Sequence, residues 1–257
     1  MKVLNFPSAK MPLHAVFRQI SKQIDTTIQV TEHQTFLYNV PTHYLVWVAA
    51  LSANKIYTMD ELPFLLRDYP MPKDLRGALR GAKNLGLLHI SGQDVSLTET
   101  GKTAQNIIPV DLSRWTQIHL IVKQRNAPTL AEYEPVAAEF LKLLLLKSPI
   151  VNMLIEALNS LPEKAVTFDK LAQTCDTLDH IRTVVFFFNP ETVPLFSTED
   201  GEIIWSKVDP AYYRSTTYLQ YKSILKHAGI LIATALGGST SKNYMPEKDI
   251  WTLRISD

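Results

Sequence analysis

The stretch from Leu75 to Lys102, LRGALRGAKNLGLLHISGQDVSLTETGK, decides how the rest of the chain is read. Leu75, Leu79, Ala82 and Leu85 recur at helical spacing, which predicts an amphipathic helix with one apolar stripe. Gly86 stands where such a helix would stop, because a residue without a Cβ enters the left-handed region at no steric cost. LLHI and VSL then read as two short strands on either side of the turn Ser91-Gly92-Gln93-Asp94. Thr98 is placed to cap a new helix, TETGKTAQNI.

Upstream, YLVWVAALSA predicts a short apolar helix, and Thr58 or Asp60 can cap a second one running through Leu66. Pro63 is tolerated in its first turn, and Pro72 opens the third helix. Residues 44–110 thus read helix, helix, helix, hairpin, helix. Residues 111–148 form a helical connector, with a helix from about Tyr133 to Lys147 that stops before Pro149. Its run LKLLLL is apolar nearly all round, which predicts burial between modules or in a dimer interface.

From Pro149 the pattern starts again. PIVNMLIEALNSL and VTFDKLAQTC predict two helices, the second capped by Thr167. An insertion at about 176–211 follows, in which VVFFF and EIIW read as strands separated by Pro190, Pro194 and Asp200-Gly201. Asp209-Pro210 introduces a long helix, roughly Tyr212 to Ala228, ended by Gly229. ILIATAL and DIWTLRI complete the segment as strands joined by the polar loop GGSTSKNYMPEK. Residues 1–43 read as an extension with a short helix over Val16 to Ile24 and a hairpin of TTIQV and TFLYNV.

LRGALRGAKNLGLLHISGQDVSLTETGK and YLQYKSILKHAGILI share one grammar of helix, glycine and apolar strand, and it resembles the winged-helix superfamily. The resemblance covers 44–110 and 149–257. It implies a mainly α fold with small β-hairpins (α+β), built as tandem winged-helix modules joined by a helical connector. It further implies a third helix entering the major groove of duplex DNA, as in a transcriptional regulator or the recognition part of a DNA-processing or defence system. Winged helices also serve as protein-interaction scaffolds, and fold alone does not decide between the two.

Lys73, Arg76, Arg80 and Lys83 fall away from the apolar stripe of the first module's third helix, with Asp74 the one acid there. Cations in that place suit phosphate contacts, and an arginine reaches a guanine edge. Gly77 and Gly81 flank them and would let the helix approach another surface closely. In the second module Arg214, Lys222 and Lys226 are the corresponding candidates, with Lys242 at the tip of the long loop. Tyr218, Tyr221, Ile224, Leu225 and Ala228 would line the core. A homodimer or protein partner would use the apolar 133–147 helix.

Composition narrows the function classes. The 257 residues are 46% hydrophobic and 20% charged with a net charge of +1, so nucleic-acid affinity must come from local clusters. One cysteine, Cys175, builds neither a disulfide framework nor a cysteine-rich zinc site and favours a reducing compartment. The N-terminal MKVLNFPSAKMPLHAVF has no apolar core of a signal peptide, and no run approaches the roughly 20 residues that span a bilayer. A cytoplasmic protein without membrane association is expected.

No catalytic motif survives inspection. Gly101-Lys102-Thr103 lacks the glycine that a phosphate-binding loop needs five positions earlier, where Ser96 stands. No lysine has an acid two positions before it, as the common metal-dependent nuclease core requires. The histidines at 14, 33, 43, 89, 119, 180 and 227 include no pair at i, i+4 spacing. Asp176, Asp179 and His180 are the nearest approach to a ligand set and are better placed to cap a helix. The expectation is a protein without enzymatic activity, metal or cofactor.

Overall fold

The computed structural model describes residues 40–71, 75–124, 127–162, 165–235 and 249–254. Apart from Val40, the elements expected over residues 1–43 before Pro41 lie outside these, as do Lys73, Lys242 and the loop GGSTSKNYMPEK. The described chain is mainly helical with two small three-stranded antiparallel sheets, an α+β architecture. It falls into two compact units. One holds the described residues of Pro149–Leu219 and Ala233–Leu253; the other holds those of Gln34–Ser148, Gln220–Ile232 and Arg254.

In the second of these, α1 (Thr42–Ala50) is followed by β1 (Tyr57–Thr58), α2 (Leu62–Leu65), α3 (Leu75–Asn84), β2 (Leu88–Ser91), β3 (Asp94–Leu97) and α4 (Glu99–Ala104). Every residue of α1 from Thr42 to Val48 is buried, so this helix is apolar all round rather than striped, and α3 and α5 (Leu112–Val122) pack on it. The sheet runs β1–β3–β2, with Val95 opposite both Tyr57 and Ile90. Then come α6 (Leu130–Tyr133) and α7 (Pro135–Leu145), the latter burying Ala137, Ala138, Phe140, Leu141, Leu144 and Leu145.

The other unit begins with α8 (Pro149–Ser160), β4 (Ala165–Thr167), α9 (Phe168–Leu178) and α10 (His180–Phe187). After three short 3-10 turns come α11 (Ser215–His227), β5 (Leu231–Ala235) and β6 (Asp249–Leu253). The strand order is β4–β6–β5, the same first–third–second arrangement as in the other sheet. Gln220–His227 of α11 and the first two residues of β5, Leu231 and Ile232, group with the Gln34–Ser148 unit. Phe168, Phe187, Phe188, Phe196 and Trp251 form the aromatic core around α9.

VVFFF is not a strand. It lies in α10 apart from Phe188, the C-terminal cap. Asp179 caps that helix by accepting the Arg182 backbone N–H at 2.9 Å, and burial of Val184, Phe186 and Phe187 outweighs the strand preference of β-branched and aromatic residues. EIIW forms no strand either: Ile203 makes one isolated bridge to Ser197, and Trp205 starts a 3-10 turn.

The glycines after α3 and α11 end the two helices in the same way. Gly86 (φ 73°) donates its N–H to Lys83 O at 2.8 Å, and Leu87 donates to Ala82 O at 3.0 Å. Gly229 (φ 70°) donates to Lys226 O at 3.0 Å, and Ile230 donates to Leu225 O at 2.9 Å. Both are Schellman closures, in which a left-handed residue turns the last carbonyls back onto the chain. Each delivers the chain straight into a strand.

Candidate nucleic-acid interface

The α3 helix positions a cationic face. Ala78, Leu79 and Ala82 are buried with Gly77 and Gly81, while Leu75 is half-buried. Arg76, Arg80 and Lys83 are exposed. At about 100° per residue these three lie within roughly 60° of arc, so they share one face. Among the described residues none forms an ion pair with them. Lys55, Arg67, Lys102, Arg114, Lys142 and Arg182, by contrast, each lie within 4.0 Å of an acid. Exposed cations gathered on one face are the arrangement that a phosphate backbone attracts, and an arginine fork can grip a phosphate with two hydrogen bonds.

Gly81 serves a different purpose from approach to a partner. A Cβ there would stand 2.1 Å from Cε1 and 2.3 Å from Cδ1 of Tyr44, so the missing side chain lets α3 close onto α1. At the far end, Thr98 ties the helix to the strands that follow. Its hydroxyl donates to Gly86 O at 2.5 Å and accepts the Gly101 N–H at 3.0 Å. The β2–β3 turn exposes Ser91, Gly92, Gln93 and Asp94, with Gly92 at φ 60°. This turn offers neutral donors and one carboxylate, and no cation.

The α11 candidates are placed otherwise. Tyr221, Ile224, Leu225 and Ala228 are buried as their spacing predicts, but Lys222 is buried too. Lys226 and Arg214 are half-buried, and burial pushes the Arg214 guanidinium below its ordinary pKa. His227 is also buried; its Nδ1 accepts the Leu130 N–H at 3.0 Å, which requires a neutral ring. The second half of α11 is thus engaged in packing rather than presented outward.

Two histidines that stand 76 positions apart meet in the core near α1. His119 Nδ1 lies 2.9 Å from Thr42 Oγ1, and the Tyr69 hydroxyl lies 3.3 Å from His119 Nδ1 and 3.4 Å from His43 Nδ1. The two imidazole centroids are 4.5 Å apart. Burial lowers His43 and His119 to about 4, with the Lys123 ammonium acting in the same direction on both and His119 on His43. Burial raises the Tyr69 phenol. All of these groups are therefore neutral near pH 7. No spacing rule brings 43, 69 and 119 together; only the tertiary fold does.

Among the described residues no group of three or more His, Cys, Asp or Glu side chains converges as metal ligands would, and no helix is long and apolar enough to cross a membrane. Family models, curated proteins and solved structures yield no match to this chain.

Proposed function

We propose that this chain is a tandem winged-helix protein that binds duplex DNA through α3 of its first module. The order helix, strand, helix, helix and two strands, repeated after Pro149 with α10 and three 3-10 turns added before the last helix, supports the winged-helix reading, together with the shared strand order and the paired Schellman closures. One observation carries the DNA reading: Arg76, Arg80 and Lys83 stand exposed, with no ion-pair partner among the described residues, on one face of a helix whose opposite face is buried. In this mechanism α3 enters the major groove, Arg76 or Arg80 reads a guanine edge, and the remaining cations hold phosphates. The wing contributes backbone N–H groups and Gln93. The α11 helix stabilises the fold rather than reading bases, since Lys222 would have to leave its packing to reach a phosphate.

Fluorescence anisotropy against mixed-sequence duplex at two salt concentrations tests this. Arg76→Ala with Arg80→Ala should weaken binding at least tenfold and flatten the salt slope by about 0.9 per phosphate contact removed. Unchanged affinity and slope would remove α3 from the interface.

A second reading, a winged-helix scaffold that holds a protein partner or a second copy of itself, has its own support. Val136 and Leu143 of α7 are 52% and 55% exposed, and Leu146 just beyond the helix is also exposed. Self-association without salt-dependent duplex binding would favour it.

A further inference from the structure

The insertion between α9 and α11 carries a hydrogen-bond arrangement with a chemical requirement of its own. His180 opens α10, and its Nδ1 lies 2.6 Å from Asp176 Oδ1. Its Nε2 lies 3.0 Å from Gly201 O. Both partners only accept, and a neutral imidazole carries one N–H, so both bonds form together only in the imidazolium. The other carboxylate oxygen, Asp176 Oδ2, accepts the Trp205 Nε1–H at 3.1 Å. Asp176 and His180 therefore grip the chain at Gly201 and again at Trp205.

The gripped segment is a compact acidic turn. Gly201 (φ 90°) donates to Thr198 O at 3.0 Å, Thr198 donates to Glu202 O at 2.9 Å, and Ile204 donates to Phe196 O at 2.7 Å. Glu199, Asp200 and Glu202 are exposed at its tip. Its flanks are held separately by rings: Phe188 packs on Phe196 at 4.7 Å and stacks on Tyr213 at 4.9 Å, and Phe196 stacks on Tyr212 at 5.5 Å.

We propose that His180 is a proton-operated clasp on the 197–205 turn, closed when the imidazole is charged and opened at Gly201 when it is neutral. The direction of opening follows from electrostatics. On losing one proton the ring keeps the N–H that faces the Asp176 carboxylate, because a lone pair there would meet a negative charge. The Nε2 lone pair then faces the lone pairs of Gly201 O, and that bond is lost. Asp176 of α9 and Asp179 at the α9–α10 joint act on the ring, Asp179 being paired with Arg182 of α10. From the turn come the carboxylates Glu199, Asp200 and Glu202, with Lys207 at the end of the Trp205 turn.

The hydrogen bond to Asp176 raises the His180 pKa above 6.5 more than burial lowers it. The clasp is therefore fully closed below that value and opens as pH rises through the folded-state pKa. The turn then keeps its aromatic flanks and releases its acidic tip.

The 257-residue chain, labelled for NMR, tests this in two ways. His180 ring shifts should titrate above 6.5. Amide protection over Gly201–Ile204, corrected for the chemical exchange rate, should fall by up to about tenfold per pH unit between 6.5 and that midpoint and level off above it. His180→Gln should abolish the pH dependence of that protection, and Asp176→Asn should bring the His180 midpoint down. A His180 midpoint at or below 6.5 overturns the proposal, and so does protection that is equal at pH 6 and pH 9. A His180→Gln protein that keeps the wild-type pH dependence overturns it as well. If His180→Gln does not fold, the wild-type ring titration and exchange profile decide the matter unaided.

Discussion

Gly81→Ala isolates the contact that sets α3 against α1. At an exposed helix position this change would stabilise the protein by about 1 kcal/mol, since alanine restricts the unfolded chain and favours the helix. Here the added methyl would stand 2.1, 2.3 and 2.9 Å from Cε1, Cδ1 and Cζ of Tyr44. Carbon atoms in contact prefer about 3.5–4.0 Å, so the ring and the helix must separate by more than 1 Å. Tyr44 is completely buried at 0% exposure, and the ring has no solvent side into which to turn. Overpacking of this kind costs about 1–3 kcal/mol, and overlap so deep belongs at the upper end. The net expectation is a loss of about 2 kcal/mol, or a fall in Tm of about 4–8 °C for a chain of this length. Urea and thermal unfolding followed by circular dichroism measure it. Arg80→Ala, one residue away on the outer face, is the control and should stay within about 0.5 kcal/mol of wild type. In a double-mutant cycle Tyr44→Leu should relieve part of the cost, so the pair is less than additive. A Gly81→Ala protein as stable as wild type would refute the close approach of α3 to α1, and with it the placement of the basic face.

Acid should unfold the protein earlier than its carboxylates alone would. His43, His119 and His227 are each lowered to about 4 in the folded state, by burial first. The fold thus holds the neutral rings: their contribution is complete above 6.5 and is lost as pH falls toward 4, by up to about 1.4 kcal/mol per pH unit for each ring. Tm measured from pH 7.5 down should decline already between 6.5 and 5, and His227→Gln, which keeps an acceptor for Leu130 N–H, should decline less. A flat Tm over that interval would contradict the buried neutral state. Thr98→Ala removes both the cap of α4 and the bond to Gly86 O, and should cost about 1–2 kcal/mol in urea titrations. No change on that substitution would mean the cap contributes nothing.

What could be read from the chain alone was local. The stripe and cations of α3, the stop at Gly86, the cap at Thr98 and the stop at Gly229 all depend on residues within a few positions of one another. The signal for α5 is equally local: Asp111 caps it, and Trp115, Ile118, His119 and Val122 follow at i, i+3, i+4 and i+7. Strand β1 has two residues, too few for any periodicity. In α10 the local preference of VVFFF pointed to a strand, and packing against the aromatic core overrode it. The burial of Lys222 was hidden for a related reason. A helix read by itself assigns its cations to solvent, whereas Gln220–His227 group with residues from the other half of the sequence. Distant meetings such as His43 with His119 leave no trace in spacing.

The helices α3 and α11 therefore show how one helix, glycine and strand pattern gives two different surfaces. Both end in the same glycine closure and lead into a strand of a sheet with the same order, so the backbone grammar is common. They differ in what happens to the cations. On α3 small residues sink the inner face (Gly77, Ala78, Gly81 and Ala82), which keeps the helix close to α1 and leaves Arg76, Arg80 and Lys83 exposed. On α11 large residues take the inner positions, Lys222 is buried with them, and His227 spends its one lone pair on a backbone N–H. A charge held inside a fold pays its desolvation cost whether or not DNA arrives, so it adds little to binding. A charge left in solvent is free to exchange its counterions for phosphate. By that criterion α3 keeps its cations available to a phosphate backbone, whereas the second half of α11 is committed to packing.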